Sequence, residues 1–236
     1  MEKIQDIKLL RFEELPSTQE YCKARMSERK NKFVLSRRQT SGHGTKGRSF
    51  SSLEGGLYFS MALYPEDFPA ENAFLIMART AVSVCKTLEN YGLQPKIKWP
   101  NDIHVSGKKI CGILIENRLQ GKRIDATLIG VGLNVNNDLP DELQEIALSM
   151  RSILGRTVQL DEVEALFRGF FFSPFTFAEY QKRLGYMGEE ASILSDEKAR
   201  RVTLLGVDEK GLLKVLEEGQ ERVYSAGEVS LREWKR

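Results

Sequence analysis

KIKWPNDIHVSGKKICGILIENRLQGKRIDATLIGVGLNV, residues 96–135, decides the fold. It contains three short runs rich in apolar and β-branched residues, KIKW at 96–99, ICGILIE at 110–116 and ATLIGVGLNV at 126–135, and such runs parted by Gly, Asn, Asp or Ser read as strands. Ser106-Gly107 and Gln120-Gly121 mark tight turns between neighbours. Turns that short leave no room for a crossover helix, so successive strands pair antiparallel.

Working outward towards the N-terminus, FVLSRR at 33–38 and GLYFSMAL at 56–63 add two more strands. Between them and the decisive stretch, Phe74, Met77, Ala78, Ala81, Val82, Cys85 and Leu88 recur every three or four residues. Residues 71–91 are therefore expected as an amphipathic helix, stopped by Gly92 and lying on the sheet. Ser17 and Glu20 have capping-box spacing and predict a first helix there. A helical stretch from about Leu160 to Leu184 is expected to break at Pro174. Its Phe-rich part, 167–177, is open to two readings, a packed aromatic layer or a partner-facing patch.

From residue 190 the pattern changes to ASIL, ARRVTLLGVD, GLLKVLEE, ERVYSAG and EVSLRE, short strands spaced by Asp-Glu-Lys-Gly and Glu-Gly-Gln turns. The expected organisation is an α+β unit over 1–187, with a mixed, largely antiparallel sheet, followed by a small C-terminal β-barrel over 188–236.

Composition narrows the function classes. The 236 residues are 41% hydrophobic, enough for a full-sized core, and Lys plus Arg number 35 against 33 for Asp plus Glu. A net charge of +2 supplies no strong field for gripping a nucleic-acid backbone. No window approaches the length of a membrane helix and the first residues lack a signal-peptide core, so a cytoplasmic protein with no membrane partner is expected. Cys22, Cys85 and Cys111 form no C-x-x-C pair, which argues against a disulfide framework or structural zinc and for packed thiols.

Two segments carry chemistry. Gly42-His43-Gly44-Thr45-Lys46-Gly47 fits G-x-G-x-x-G, but a dinucleotide fingerprint needs a helix starting inside it, and here the chain leads into GLYFSMAL. What remains is a glycine loop whose backbone N–H groups, with Lys46 and Arg48, could close on a phosphate or carboxylate; a plain solvated hairpin is the alternative. In the second segment, Lys98-Trp99-Pro100-Asn101-Asp102 offers an aromatic wall and a carboxylate able to hold Mg²⁺, and Lys109 follows seven residues later. That set suits a nucleotide and an activated acid, although each residue alone would pass for a turn or a surface charge.

QTSGHGTKGR at 39–48, KWPND at 98–102, GKKICGILIE at 107–116 and IGVGLNVN at 129–136, in this order, resemble biotin–protein ligases. Pro16-Ser17-Thr18-Gln19 and Gly227-Glu228-Val229-Ser230-Leu231-Arg232 extend the resemblance over nearly the whole chain. It implies a class II synthetase-like catalytic domain with an SH3-like barrel, and ATP-dependent biotinylation of a lysine on a biotin carboxyl carrier protein, the acetyl-CoA carboxylase subunit. Biotin and ATP would be substrates, with Mg²⁺; no residue set for the metal is implied, and a homodimer stays open.

The resemblance also implies roles. Ser17, Thr18 and Gln39 would bond the ureido head of biotin, with Gln19, Gly42, His43, Gly44 and Thr45 beside them. Gly112 and Gly132 would leave room for the ligand, and Lys109 would bind the biotin carboxylate and the α-phosphate as biotinyl-AMP forms. Trp99 would pack near the adenine or the loop, Asp102 would help set up the nucleotide and metal site, and Arg48, Asn101, Asn134, Glu228 and Arg232 would serve the nucleotide.

The chain departs from the family where GHGTKGR replaces the common GRGRRGR: His43 and Thr45 stand at arginine positions. Losing an arginine at Thr45 removes a charge-assisted phosphate contact, for which Lys46 is the expected substitute. Rival readings are a lipoate- or octanoate-handling ligase or transferase, disfavoured by the polar Ser17, Thr18 and Gln39; a thiol hydrolase built on Cys111 with His43 or His104 as base; and a binding module without catalysis. Some biotin ligases also repress transcription through an N-terminal DNA-binding domain. The sixteen residues before Ser17 are too few for one, so a single-function form is expected.

Overall fold

The computed structural model describes residues 6–195 and 198–233. Its elements in chain order are β1 (Lys8–Leu15), α1 (Thr18–Lys23), β2 (Lys32–Gln39), β3 (Leu57–Leu63), β4 (Phe68–Pro69), α2 (Ala73–Asn90), β5 (Lys96–Lys98), β6 (Asp102–Val105), β7 (Lys108–Gln120), β8 (Arg123–Leu133), α3 (Asp141–Gln144), α4 (Met150–Leu154), α5 (Leu160–Phe172), α6 (Phe177–Arg183), and β9 (Glu190–Ser195), β10 (Lys198–Val207), β11 (Leu213–Glu217), β12 (Gln220–Tyr224) and β13 (Ser230–Glu233). The fold is α+β: a mixed eight-stranded sheet ordered β1-β2-β3-β8-β7-β6-β5, with β4 on β8, and a five-stranded antiparallel sheet ordered β12-β11-β10-β9-β13. The second sheet meets the expectation of a small SH3-like unit in strand number and direction.

Within the large sheet only β1 and β2 run parallel; the other pairs are antiparallel. The expected turns are there: Ser106 and Gly107 both have positive φ between β6 and β7, and Gly121 closes the β7–β8 hairpin. Strand β1 was not expected, because KLLRFEEL alternates poorly, and its burial pattern is correspondingly mixed.

Side chains alternate across the central strands. Phe33, Phe59, Met61, Ile129 and Val131 face one large core with Ile76, Ala81 and Cys85 of α2. Val34, Ala62 and Leu128 face the other side, where they pack with Cys22 of α1. Every residue of β3 is buried, as a strand covered on both faces must be. The Phe-rich segment is a packed aromatic layer: Phe167 lies 4.8 Å from Phe59 and 5.7 Å from Phe171, and beyond the break at Pro174, Phe177 stacks on Tyr180 at 5.5 Å.

The two sheets meet at the β10–β11 turn, where Trp99 Nε1 donates to Gly211 O at 3.0 Å. Gly211 has φ +84°, and a Cβ there would fall 2.3 Å from Phe74, so this close approach admits only glycine. No helix among the described residues is long and apolar enough to cross a membrane.

Candidate active site

The face of the large sheet that carries α1 also carries the cavity. It is lined by Ser17, Thr18 and Gln19 at the start of α1, Gln39 at the end of β2, His43, Gly44, Thr45 and Phe50 of the following loop, Ser60 of β3, Asn101 and Lys109, and Gly112, Gly130 and Gly132 of β7 and β8. Ser17 caps α1, its Oγ accepting from Glu20 N at 3.4 Å; the reciprocal Glu20 bond of a capping box is not among the described contacts.

The floor is a connected polar network. Gln39 Oε1 accepts from Thr18 N at 2.8 Å and from Thr18 Oγ1 at 3.1 Å, and Gln39 Nε2 donates to Ser52 Oγ at 2.8 Å. Ser60 Oγ donates to Gln19 Oε1 at 3.0 Å, and Gln19 Nε2 donates to Glu116 Oε2 at 3.0 Å. Thr18, Gln19 and Ser60 are nearly inaccessible, and polar groups so buried persist because they satisfy one another.

The loop from 39 to 52 folds back as a hairpin, with Gln39 N donating to Ser52 O, Phe50 N to Gly42 O and Gly44 N to Arg48 O. No α-helix begins inside the glycine pattern; a 3-10 turn at Thr45–Gly47 leads on to β3, unlike the strand–turn–helix of a dinucleotide fingerprint. A Cβ on Gly42 would lie 2.5 Å from Phe50 O, which explains a glycine there.

Lys109 is placed by a β-bulge. Asp102 pairs with Gly112 and Ile103 with Cys111, but His104 pairs with Lys109, so β7 carries one extra residue. A bulge turns later side chains over. Lys109 and Gly112, three apart, would otherwise face opposite sides; here Lys109 Nζ and Cε lie 3.1 Å from where a Gly112 Cβ would be. Lys109 Nζ reaches Asp102 Oδ1 at 2.7 Å, both side chains about one-third exposed, and stands 5.8 Å from the Phe50 ring centre.

The other expected site residues are placed as follows. The space over Gly112 and Gly132 is not vacant: the Phe50 ring lies 2.5 Å from the Cβ position of Gly132 and 3.1 Å from that of Gly112. Trp99 does not face the cavity; its indole is buried in the core and tied to Gly211. Asn134 spends its amide on the chain that follows β8, donating to Leu148 O and accepting from Asn137 Nδ2. Glu228 accepts from Ser225 N at 2.7 Å across a turn of the small sheet and does not line the cavity. Arg48 is exposed, with Nε donating to Thr45 O. Arg232 lies in β13, and its side chain, like that of Lys46, falls outside the described residues.

Sequence reasoning missed Phe50, Ser60 and Glu116. A serine in the otherwise apolar run LYFSMAL, and an aromatic inside a polar loop, were the available signals. Cys111 is fully buried and its thiol is pushed far above its usual pKa by desolvation, an environment opposite to that of a reactive thiolate. His104 bonds Gly107 O and is pushed down by burial and by Lys98. Among the described residues no three His, Cys, Asp or Glu side chains gather to hold a metal.

A family model described as "Biotin/lipoate A/B protein ligase family" matches residues 12–134. The chain is 33% identical over 214 residues to the bifunctional ligase/repressor BirA of Bacillus subtilis, covering 82% of this chain and 64% of that protein. It is 29% identical over 109 residues to a biotin–[acetyl-CoA-carboxylase] ligase of Paracoccus denitrificans, 44% of each chain. Among solved structures, a biotin protein ligase from Aquifex aeolicus in complex with biotin and ATP superposes with a TM-score of 0.81 at 31% identity, over 96% of this chain and 99% of that one.

Proposed function

This chain belongs to the biotin/lipoate A/B protein ligase family, and on that premise we propose that it is a biotin–protein ligase, which activates biotin with ATP and transfers it to a lysine of an acceptor protein. The observation that carries the reading is Lys109, held by Asp102 at one end of a cavity whose other end is a polar network. A fixed cation on the wall of such a cavity can stabilise charge that builds up in acyl adenylation.

Ser17 accepts from Glu20 N and keeps its own O–H for a ligand oxygen. Gln39, with Oε1 and one N–H engaged, keeps one N–H. These free donors, with Thr18 Oγ1 as an acceptor, suit a urea head; an octanoyl or lipoyl chain would leave them unpaired, at about 1–3 kcal/mol for each buried group. This favours biotin over the lipoate alternative.

In the first step a biotin carboxylate oxygen bonds to the α-phosphorus of ATP, and the α–β bridging P–O bond breaks to release pyrophosphate. Lys109 stabilises the anionic oxygens of both partners, while Asp102 sets its position. In the second, the acceptor amine attacks the biotinyl carbonyl and AMP leaves. Both nucleophiles belong to the substrates, so the protein's part is to orient them and exclude water, which the 39–52 hairpin is placed to do. Arg48 on the hairpin and Asn101 at the wall are the proposed nucleotide side; Trp99, Asn134 and Glu228 are read as structural.

Mg²⁺ commonly keeps its waters and takes one or two carboxylates with substrate phosphates. Asp102, a lone carboxylate at the cavity's cationic end, fits that pattern, and the ion would neutralise phosphate charge when ATP is bound. We further read residues 1–187 as the catalytic unit and 188–236 as a small barrel domain. The proposed acceptor is a biotin carboxyl carrier protein such as the acetyl-CoA carboxylase subunit. Three buried free cysteines accord with the reducing cytoplasm.

The test is to mix the protein with biotin, ATP, Mg²⁺ and a carrier domain and weigh the carrier. Biotin mass on one lysine, dependent on ATP, is the expected result; product with lipoate or octanoate and none with biotin would move the chain to the other branch of the family.

A further inference from the structure

Glu116 lies outside the cavity lining, yet it fixes which atoms of the cavity floor donate and which accept. An ionised carboxylate only accepts. Glu116 takes hydrogen bonds from Lys23 Nζ at 3.2 Å and Gln19 Nε2 at 3.0 Å, so the Gln19 carbonyl must turn inward. There it accepts the single proton of Ser60 Oγ at 3.0 Å. Gly130 makes the position available: a Cβ would sit 2.8 Å from Gln19 Oε1.

The other end of the floor is fixed as firmly. Ser52 Oγ donates to Phe50 O at 3.1 Å and so accepts from Gln39 Nε2, which turns Gln39 Oε1 towards Thr18. Thr18 Oγ1, 2.9 Å from Ser60 Oγ, therefore receives no proton from Ser60 and places its own between Gln39 Oε1 and Ser60 Oγ. Its lone pairs receive no hydrogen bond from the described residues.

We infer that Glu116 is a positioning residue that, through Gln19 and Ser60, makes Thr18 Oγ1 an obligate acceptor and thereby selects ligands with an N–H at that point. The inference rests on the proposed biotin site, since a urea ring supplies that N–H. It goes further by naming the residue that sets the polarity. Burial opposes the charge on Glu116, but the bonds from Gln19 and Lys23 and the nearby charges of Lys23 and His43 outweigh it and hold its pKa below the usual carboxylate value.

The experiment reverses the outer pair, Lys23→Glu with Glu116→Lys. Both side chains are 40–50% exposed, and the ion pair is preserved. Lys at 116 only donates, so Gln19 turns over, its amide donates to Ser60, and the Ser60 proton goes to Thr18. Binding is measured for biotin and for the two cyclic carbamates in which one or the other ureido N–H is replaced by oxygen. The unsubstituted protein should bind biotin about tenfold or more better than the carbamate lacking the Thr18-facing N–H, the worth of one buried hydrogen bond. The reversed pair should lose that preference, and adding Ser60→Ala to it, which removes the competing proton, should bring it back. Retained preference in the reversed pair, or none recovered with Ser60→Ala, overturns the inference. Absence of biotin binding by the unsubstituted protein would instead remove the site reading itself.

Discussion

Lys109 Nζ sits 2.7 Å from Asp102 Oδ1 and its stem crosses Gly112, the residue that pairs with Asp102 in the β6–β7 ladder. The ladder, the bulge after Ile103 and the missing side chain at Gly112 together hold one amine at the end of the cavity. A lysine on a regular strand in this register would point into the core.

Lys109→Ala should lower biotinyl-AMP formation by about 10²–10³-fold, the usual cost of one charge-stabilising donor, with the fold intact. Asp102→Asn should cost less, about tenfold, because it loosens the amine without deleting it. Pyrophosphate release gives the rates and circular dichroism the fold; near-normal adenylation by Lys109→Ala would refute the assignment.

Gly132→Ala places a methyl 2.5 Å from the position of Phe50 Cε1. Overpacking of this kind costs about 1–3 kcal/mol, so biotin affinity should fall about 10–100-fold by calorimetry. Adding Phe50→Ala, which removes the ring that the methyl meets, should restore most of it. No recovery would mean that the methyl itself obstructs the ligand.

Trp99→Phe removes the buried bond to Gly211 O and leaves that carbonyl without its partner. A loss of about 1–3 kcal/mol is expected, seen as a lower thermal midpoint, with adenylation rates unchanged below it. A selective loss of ATP affinity would return Trp99 to the nucleotide.

Thr45→Arg adds to the cavity wall the cation common in the family. One charge-assisted contact should slow release of biotinyl-AMP about tenfold. Stopped-flow dissociation rates equal to those of the unsubstituted protein would count against the loop's part in holding the intermediate.

Burial pushes the Cys22 thiol up to about 12, and those of Cys85 and Cys111 further in the same direction. The native state keeps protons that the unfolded chain loses near pH ~8.5. The resulting stability is whole below that pH and is lost as the pH rises towards 12. Tyr58 and Tyr180, also raised by burial, act the same way from pH ~10. Thermal midpoints should therefore fall steadily above pH ~9, and alkylating reagents at pH ~8 should leave the native thiols unmodified and the activity unchanged. Inactivation on labelling Cys111 would revive the thiol-enzyme reading.

The sequence alone was enough for the antiparallel centre of the sheet, because period-two patterning and Gly turns are written in consecutive residues. Helix α2 and its stop at Gly92 were legible for the same reason, as was the break at Pro174. The polar cluster of Ser17, Thr18 and Gln39 also came from the sequence, through its likeness to a known motif, and the structure brings those three into one cavity. β1 escaped because KLLRFEEL alternates poorly and because it pairs parallel with β2 across α1, with no tight turn to mark the pair.

Tertiary structure alone decided which face Lys109 takes, since a bulge is a mismatch between two strands and leaves no mark in either one. It also decided that Phe50 fills the space over Gly112 and Gly132, that Trp99 serves the join between the sheets, and that Glu116 reaches Gln19 across 97 residues of chain. Local sequence records the preferences of neighbours along the chain; the occupant of a given space is set by register and packing between segments far apart in it.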